Sequence, residues 1–423
     1  MSGRGYSGVV PIVDPIKKAL KTMASFDGSS QIDLFNRLKV SIPSTQFTYQ
    51  NEYSKGENQW VEKVVGTASA THDPINSAVT LSAVTLSVSA PNSSIIRQTR
   101  RYFRYSSGKT LSTLLTFNCL TPPPGAKFGV GYNDNGNGLF LEVRNDGVYV
   151  ALRRNGVVTY YPRSEWNVDK LDGTGRSGVN YDFTKSTIFG IDLQWLGVGT
   201  VLFSIESPTG ELLAIHKIYH SGLIEGTYMR TANLPIRYEL STDETFSGSF
   251  SAQQICSAVT SEASGDEDTS NYTHSVFSGI ASTSVATRRA VLAIRPKALF
   301  NTLEGRASIT FRDVDLFVAS ANTFWEVVYN PTYSTVPTWT SVGDYSSVEY
   351  SNDVAAFTGG ITILSGFIAA GGATRSTLSR AVNTNYPLGL DIDGADPTSI
   401  AIVCTPLTGT AAVNASMSWE EIY

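Results

Sequence analysis

The sequence predicts an all-β protein: two antiparallel β-sandwich domains of jelly-roll-like type, preceded by an extended N-terminal arm that contains a short helix. Apolar and polar residues alternate with a period of two over short segments, as in Thr187–Trp195. Asn- and Asp-Gly turns separate neighbouring segments, as at Asn145–Gly147, which is typical of hairpins. Charged residues make up only 16% of the chain, against roughly 25% in typical soluble domains.

The N-terminal arm is predicted over residues 1–50. Asp14 can cap a short helix whose first position is Pro15. One amphipathic helix of about three turns cannot fold alone, so we expect it to dock on a partner or on the body of the protein. The apolar residues at helical spacing, and thus the predicted partner-binding residues, are Ile16, Leu20 and Met23.

The first sandwich is predicted over residues 51–250. Short segments with tight turns between them are followed by a polar Gly-rich loop and then by two longer strands, Thr187–Trp195 and Thr200–Ser207. This order of short strands, a long loop and long strands is typical of a jelly-roll sandwich.

A linker is predicted at residues 251–272, because this segment leads into an acidic, Ser-rich turn. The second sandwich is predicted over residues 273–423, where strand-like alternation resumes. Within it, the uncharged run Val354–Thr374 contains Gly-Gly pairs near both ends. We therefore interpret this run as a buried strand and not as a membrane-spanning helix.

Charge and cysteine content exclude several classes of partner. The net charge is −5, so no global attraction to nucleic acid or to a membrane surface is expected. The three cysteines lie far apart in the sequence, which favours free thiols over a disulfide framework or a metal knuckle. The first residues lack an apolar signal core. We expect synthesis in a reducing cytoplasm; if the protein acts outside the cell, we expect it to leave by lysis or within a particle.

No catalytic pattern is visible, so the sequence predicts neither an enzyme nor a cofactor. His216 and His220 have a zinc-ligand spacing for a helix, but a strand would hold them about 13 Å apart. The chain has no nucleophile elbow and no compact pair of strand-borne carboxylates. A glycosidase would require two carboxylates that meet in a cleft of the folded chain.

Three sets of residues are candidate binding sites. Asx-rich turns are the preferred explanation of the acidic segment at 391–396, and calcium is the weaker alternative. The basic segment at 97–104 is expected to contact protein more than nucleic acid, since the chain is acidic overall. The calcium candidates are Asp391, Asp393 and Asp396; the partner-binding arginines are Arg97, Arg100, Arg101 and Arg104; the glycan-binding candidates are Tyr160, Tyr161 and Trp166.

Four segments together resemble a family of virion structural proteins of tailed bacteriophages, with relatives in some large DNA viruses. The third contains the turn Trp195-Leu-Gly-Val-Gly199 and is the most specific of the four. The segments are Asp33–Ser41 (DLFNRLKVS), Tyr102–Phe117, Ser164–Ile205 continued by Asn233–Glu239, and Gln254–Glu262 (QICSAVTSE). The resemblance implies assembly or attachment and supplies no catalytic residue.

We therefore expect a virion structural protein that is displayed on a phage particle and anchored through its N-terminal arm. A capsid decoration protein, a head fibre and a neck or tail appendage all remain open. A homotrimer is favoured, because particle appendages commonly assemble around a symmetry axis. The predicted partners are capsid or tail proteins of the same virion. The alternative is a receptor-binding module that recognises a glycan of the host cell surface.

Overall fold

The structure is a computed structural model and describes residues 12–14, 19–21, 43–73, 82–262, 272–353, 356–377 and 385–422. These residues confirm the all-β class, because antiparallel strands dominate them and no α-helix lies wholly within them. One 3₁₀ turn occurs at Arg163–Glu165. No helix in the described part of the chain is long and apolar enough to cross a membrane.

The first half of the chain forms two packed antiparallel sheets. One sheet has the strand order β12-β11-β10-β9-β16-β7-β4, and the other has the order β15-β14-β13-β8-β17-β6-β5, with β3 also paired to β17. The strands are β1 (Ile12–Asp14), β2 (Ala19–Lys21), β3 (Pro43–Gln50), β4 (Trp60–Val65), β5 (Ala68–Asp73), β6 (Ala83–Val88), β7 (Ser94–Thr99), β8 (Leu111–Cys119), β9 (Ala126–Asn133), β10 (Gly138–Arg144), β11 (Gly147–Arg154), β12 (Val157–Pro162), β13 (Thr187–Leu193), β14 (Val201–Glu206), β15 (Leu212–Ile218), β16 (Ile236–Thr242) and β17 (Phe250–Glu262).

The core of the first sandwich lies between these two sheets. Strand β8 illustrates its origin, since Leu111, Leu115 and Phe117 alternate with residues of the opposite face and are buried. The Phe117 ring packs against Phe128 of the other sheet, with ring centres 5.6 Å apart. The alternation of the sequence therefore produces the apolar layer that holds the sheets together.

The second half forms another sandwich with its own core. Its sheets have the orders β18-β32-β23-β30, with β19 also paired to β32, and β26-β27-β20-β31-β24-β29. Buried side chains such as Trp325 and Trp419 fill the space between them. The strands are β18 (Tyr272–Phe277), β19 (Thr283–Val285), β20 (Arg289–Pro296), β21 (Leu299–Phe300), β22 (Leu303–Glu304), β23 (Ser308–Ser320), β24 (Thr323–Tyr329), β25 (Thr332–Tyr333), β26 (Thr340–Ser341), β27 (Val348–Ser351), β28 (Phe357–Thr358), β29 (Ile361–Ile368), β30 (Gly372–Thr377), β31 (Ile400–Pro406) and β32 (Ala411–Ile422).

The prediction of a short helix in the arm is wrong, because the residues that the structure describes there form two short strands. Strand β1 pairs antiparallel with β2, with Val13 opposite Leu20. Apolar residues at such close spacing fit two short strands as well as one helical turn, and an isolated helix of this length is marginal. Ile16 and Met23 lie outside the described residues, as does the side chain of Leu20.

Two predicted boundaries also require correction. Strand β3 lies within the segment assigned to the arm, yet it pairs with β17 in the eight-stranded sheet. Strand β17 covers the first half of the predicted linker and pairs with β8 and β6 as well. The remaining linker residues 263–271 lie outside the described residues. The first sandwich therefore extends at least from Pro43 to Glu262.

The run Val354–Thr374 contains strand β29, as predicted, but the strand is not buried. It lies at the edge of its sheet and pairs with β24 alone. Phe367 on this strand is 73% exposed. An edge strand has one neighbour, so much of its surface remains in water.

The two sandwiches touch through a loop that precedes β31. Asp393 of this loop forms an ion pair with Lys63 on β4, at 2.5 Å between Oδ1 and Nζ. Arg306 of the second sandwich lies over the ring of Tyr102, 4.7 Å from its centre. The loop thus lies at the β4 end of the seven-stranded sheet.

Candidate functional site

The outer face of the seven-stranded sheet carries the candidate site. Along β9, Phe128, Val130 and Tyr132 point into the core and are fully buried. The alternate residues of this strand point to the outer face, because successive side chains of a strand lie on opposite sides. They are Lys127, Gly129, Gly131 and Asn133. Because the two middle positions of this face, Gly129 and Gly131, are glycines, no side chain of β9 covers its centre.

Gly129 forms the floor of a depression, and Gly131 lies beside it on the same face. Gly129 lies opposite Glu142 on β10 and Glu239 on β16, so both carboxylates belong to one row across the face. Because neighbouring strands are about 4.8 Å apart, the Cα atoms of these glutamates are separated by about 10 Å. Gly131 lies in the next row, between Phe140 and Arg237.

The two glycines differ in the space around them. A Cβ atom at Gly131 would lie 2.3 Å from the Leu139 carbonyl oxygen, which no side chain tolerates. A Cβ atom at Gly129 would have no neighbour closer than the Leu141 oxygen at 4.0 Å. Gly131 is therefore required by packing, whereas the open space over Gly129 is the depression itself.

The depression is small and strongly polar. Its volume is about 30 Å³, close to the share of one water molecule in liquid water. A small group can enter it, and the remainder of a ligand must lie on the surrounding face. The lining residues are Lys127, Gly129, Asn133, Phe140, Glu142, Arg153, Arg237, Glu239 and Ser241.

Cationic side chains surround the carboxylate of Glu142. Arg144 donates a hydrogen bond from Nε to Glu142 Oε1 at 2.5 Å. Lys127 Nζ lies 3.9 Å from Glu142 Oε2. Both oxygens of this carboxylate, which is only 5% exposed, therefore have a cationic neighbour. Such charge-assisted pairs fix the orientation of the side chain.

Three aromatic side chains beside the depression form what we call the aromatic ridge: Phe140, Tyr149 and Tyr160. Tyr160 meets Phe140 and Tyr149 edge to face, at 6.3 and 6.1 Å between ring centres. The Arg144 guanidinium lies over both tyrosine rings, 4.5 Å from Tyr149 and 4.1 Å from Tyr160. Stacking of this kind holds the rings in place next to the charged groups.

The predicted glycan-binding residues separate on two sides of the sheet. Tyr160 belongs to the aromatic ridge, whereas the ring of Tyr161 faces the interior and packs on His216 at 4.8 Å. Trp166 is 2% exposed and donates its indole N–H to the Tyr161 carbonyl oxygen. The prediction is wrong for Tyr161 and Trp166. The alternation of side chains along β12 turns Tyr161 inward, and the segment that follows β12 places Trp166 in the core.

The predicted partner-binding arginines of the basic segment at 97–104 do not form one continuous surface. Arg97 is 1% exposed and donates to Gln254 Oε1 and Glu62 Oε1, both at 2.6 Å. Its prediction as a partner-binding residue is therefore wrong, since it occupies an inward position of β7. Arg101 donates to the Gln46 carbonyl oxygen at 2.8 Å. Arg100, Arg101 and Arg104 are half-buried, and their partner role stays a prediction.

The acidic turn at 391–396 is organised by its own hydrogen bonds. Asp391 Oδ1 accepts the Ala395 N–H at 2.7 Å, as in an Asx-type turn. Asp393 is paired with Lys63, and the Asp396 carbonyl oxygen accepts the Asp391 N–H. Among the residues that the structure describes, no three His, Cys, Asp or Glu side chains are grouped to hold a metal ion.

Each of the two spaced histidines packs against aromatic residues. His220 stacks on Tyr228 at 3.8 Å between ring centres, and its Nδ1 lies 2.8 Å from the Gly199 oxygen. His216 Nδ1 accepts the Asn167 N–H. Burial lowers the pKa of His216 to about 4. These contacts give both rings a structural role.

Sequence reasoning missed the residues that line the depression. Glu142, Arg237 and Glu239 come from strands distant in the sequence, and only the sheet order places them together. One local signal was present: Gly129 and Gly131 occupy alternate positions of β9, between the inward-facing Phe128, Val130 and Tyr132. Glycines on one face of a strand often mark a close approach of another group.

No family model matches this sequence, and no curated protein matches it. Among solved structures, a protein of unknown function from Shewanella oneidensis is 12% identical, covering 53% of this chain and 90% of that chain at a TM-score of 0.35. The metal-free lectin I-B4 from Griffonia simplicifolia is 10% identical over 53% of this chain and 100% of its own, at a TM-score of 0.30.

A third solved structure is the conserved carbohydrate esterase from Shiga toxin-encoding bacteriophage phi24B. It is 13% identical over 52% of this chain and 100% of its own, at a TM-score of 0.32. At such low identity and structural overlap, the function of this chain has to be argued from its own residues.

Proposed function

We propose that this protein binds a carbohydrate on the outer face of its seven-stranded sheet. The observation that carries the proposal is the aromatic ridge beside the glycine-floored depression. Binding sites for small molecules combine apolar and aromatic surface with a few polar groups that set orientation. A sugar ring has an apolar C–H face and a polar edge. Phe140 is only 3% exposed, so the accessible surface of the ridge belongs to Tyr149 and Tyr160, which are half-buried. A sugar ring can lie against the tyrosine surface that Arg144 leaves open and direct one substituent into the depression.

The pair Glu142 and Glu239 raises the question of hydrolysis, because glycosidases use two carboxylates. Both oxygens of Glu142 already face cations, and Arg237 Nη1 lies 3.8 Å from Glu239 Oε2. This arrangement suits the holding of a ligand, and we propose binding without turnover. Release of reducing sugar from a bound polysaccharide by the purified protein would contradict that part of the proposal.

The test is a binding measurement on Tyr160→Ala against an immobilised glycan panel. Loss of one stacking ring is expected to weaken binding about tenfold. The matched control is Tyr53→Ala, because Tyr53 is 87% exposed and lies outside the ridge. The proposal fails if the wild-type protein binds no saccharide, or if both variants bind as the wild type does.

A second candidate function is that of a virion structural protein, which we propose on the resemblance described above. Three of its four segments fall within the first sandwich, the domain that carries the depression. The two functions are compatible, since a particle protein that binds glycan would attach the particle to a host. The homotrimer and the anchoring role of residues 1–50 belong to this proposal.

Deletion of residues 1–30 tests the virion role. The truncated protein is expected to keep its strand content by circular dichroism and to be absent from purified particles. Retention of the truncated protein on particles would contradict anchoring through the arm. Light scattering of the full-length protein measures the oligomeric state, and a monomer would contradict the trimer.

A further inference from the structure

We infer that the depression accepts an anionic group, so that the carbohydrate is a saccharide bearing carboxylates. This inference rests on the proposed function and adds the chemical class of its ligand. It is carried by two guanidinium groups, those of Arg153 and Arg237, which face the same small space.

Arg237 is a buried cation that is hydrogen-bonded to neutral groups. It is 2% exposed, and its Nε and Nη2 both donate to Gln98 Oε1, at 2.9 and 2.6 Å. Its Nη1 donates to Asn135 Oδ1 at 2.8 Å. The carboxylate of Glu239 forms an ion pair with Nη1 at 3.8 Å, which is too long for a hydrogen bond, so Glu239 compensates the buried charge only in part. A buried charge is ordinarily paired, because its removal from water is costly.

Arg153, on the opposite side of the depression, is likewise hydrogen-bonded to neutral groups. Its Nη1 donates to Asn133 Oδ1 at 3.0 Å and also to the Asp134 carbonyl oxygen. Within the described part of the chain, no carboxylate forms an ion pair with Arg153. Burial lowers the pKa of Arg237, the carboxylate of Glu239 raises it, and the neighbouring charge of Arg153 lowers it. An anion placed between these two side chains would offset both of the lowering effects.

The charges around the depression leave a positive excess. Lys127, Arg153 and Arg237 line it together with Glu142 and Glu239, and Arg144 is bonded to Glu142. Within the lining itself, three cations therefore face two carboxylates, in a chain whose net charge is −5. A planar carboxylate matches the donor fork of a guanidinium. The space of about 30 Å³ admits a small substituent and not a sugar ring, and its cations favour an anionic substituent.

The experiment compares acidic polysaccharides with their carboxyl-reduced forms. Polygalacturonate, hyaluronate and polysialate are each immobilised beside the reduced polymer, with dextran, mannan and dextran sulfate as further surfaces. The wild-type protein is expected to bind at least one acidic polymer about tenfold more tightly than its reduced form, since a charge-assisted hydrogen bond is lost on reduction.

Arg153→Gln is expected to abolish that preference. The matched control Arg154→Gln changes the next residue of β11, which is exposed and points away from the outer face, and it is expected to keep the preference. Equal binding of acidic and reduced polymers, or binding of neutral polymers alone, would overturn this inference and leave the proposed function standing. Binding of dextran sulfate without any carboxylated polymer would overturn the carboxylate assignment. Binding of no polymer would overturn both.

Discussion

Arg97 on β7 donates a hydrogen bond from Nε to Gln254 Oε1 on β17, at 2.6 Å, and so joins the two sheets of the first sandwich through the core. The guanidinium also bonds to Glu62 at 2.6 Å and lies over the Trp60 ring at 4.8 Å. A charged side chain thus occupies a position that a sandwich core usually gives to an apolar one. Its partners make this possible, because they satisfy its donors.

Arg97→Ala is expected to lower the free energy of unfolding by about 3 kcal/mol, since it leaves Gln254 and Glu62 without their buried partner. Urea unfolding followed by tryptophan fluorescence measures this change. Arg100→Ala, at the half-buried neighbouring position, is expected to cost less than about 1 kcal/mol. Equal effects of the two substitutions would contradict the bridging role of Arg97.

Gly129→Leu is expected to abolish carbohydrate binding while the protein stays folded. The Cβ position at Gly129 is open, so a larger side chain fills the depression without meeting the backbone. Gly129→Ala should weaken binding as well, because its methyl group would already occupy much of a depression of about 30 Å³. Gly131→Ala should instead destabilise the fold by more than about 2 kcal/mol, because its Cβ would lie 2.3 Å from a carbonyl oxygen. Calorimetric binding and thermal unfolding of the three variants distinguish these effects.

His216 makes the stability of the first sandwich depend on pH. Its pKa is about 4 in the folded protein because of burial, and about 6.5 when unfolded. The unfolded chain therefore binds the proton first, and stability is complete above pH 6.5 and declines as the pH falls towards 4. We expect a loss of about 2 kcal/mol between pH 7 and pH 4.5, measured by urea unfolding. His216→Gln should flatten this dependence, and an unchanged slope would contradict the assignment.

Asp169 organises the Gly-rich loop that precedes β13. Its Oδ1 accepts the Leu171 N–H at 2.8 Å and its Oδ2 accepts the Ser177 N–H at 2.6 Å. Asp169→Ala is expected to cost about 2 kcal/mol, because two backbone donors lose their acceptor. Hydrogen exchange of the Leu171 and Ser177 amides should accelerate in this variant. The exposed Glu165→Gln serves as the control, and similar exchange in both proteins would refute the loop's dependence on Asp169.

The fold class could be predicted because strand alternation is local: Leu111–Cys119 shows its inward and outward faces in nine residues. The arm helix could not, since one short apolar pattern does not decide between a helix and a strand, and Ala19–Lys21 forms a strand. Tyr161 and Trp166 were misassigned because aromatic character alone does not tell which face of β12 or which side of a loop a ring occupies. The pairing of Glu142 with Glu239 depends on the order of strands in the finished sheet, which no short pattern contains.

The contact of Arg306 with Tyr102 has a mechanical consequence. Gln98 Nε2 reaches the Tyr102 hydroxyl at 3.5 Å, and Gln98 Oε1 holds Arg237 in the depression. The second sandwich is thus linked to the depression by one stacked pair and by the side chains of Gln98 and Arg237. We expect a displacement of the second sandwich to reach Arg237 by this short route, and therefore to affect an anion bound there as proposed.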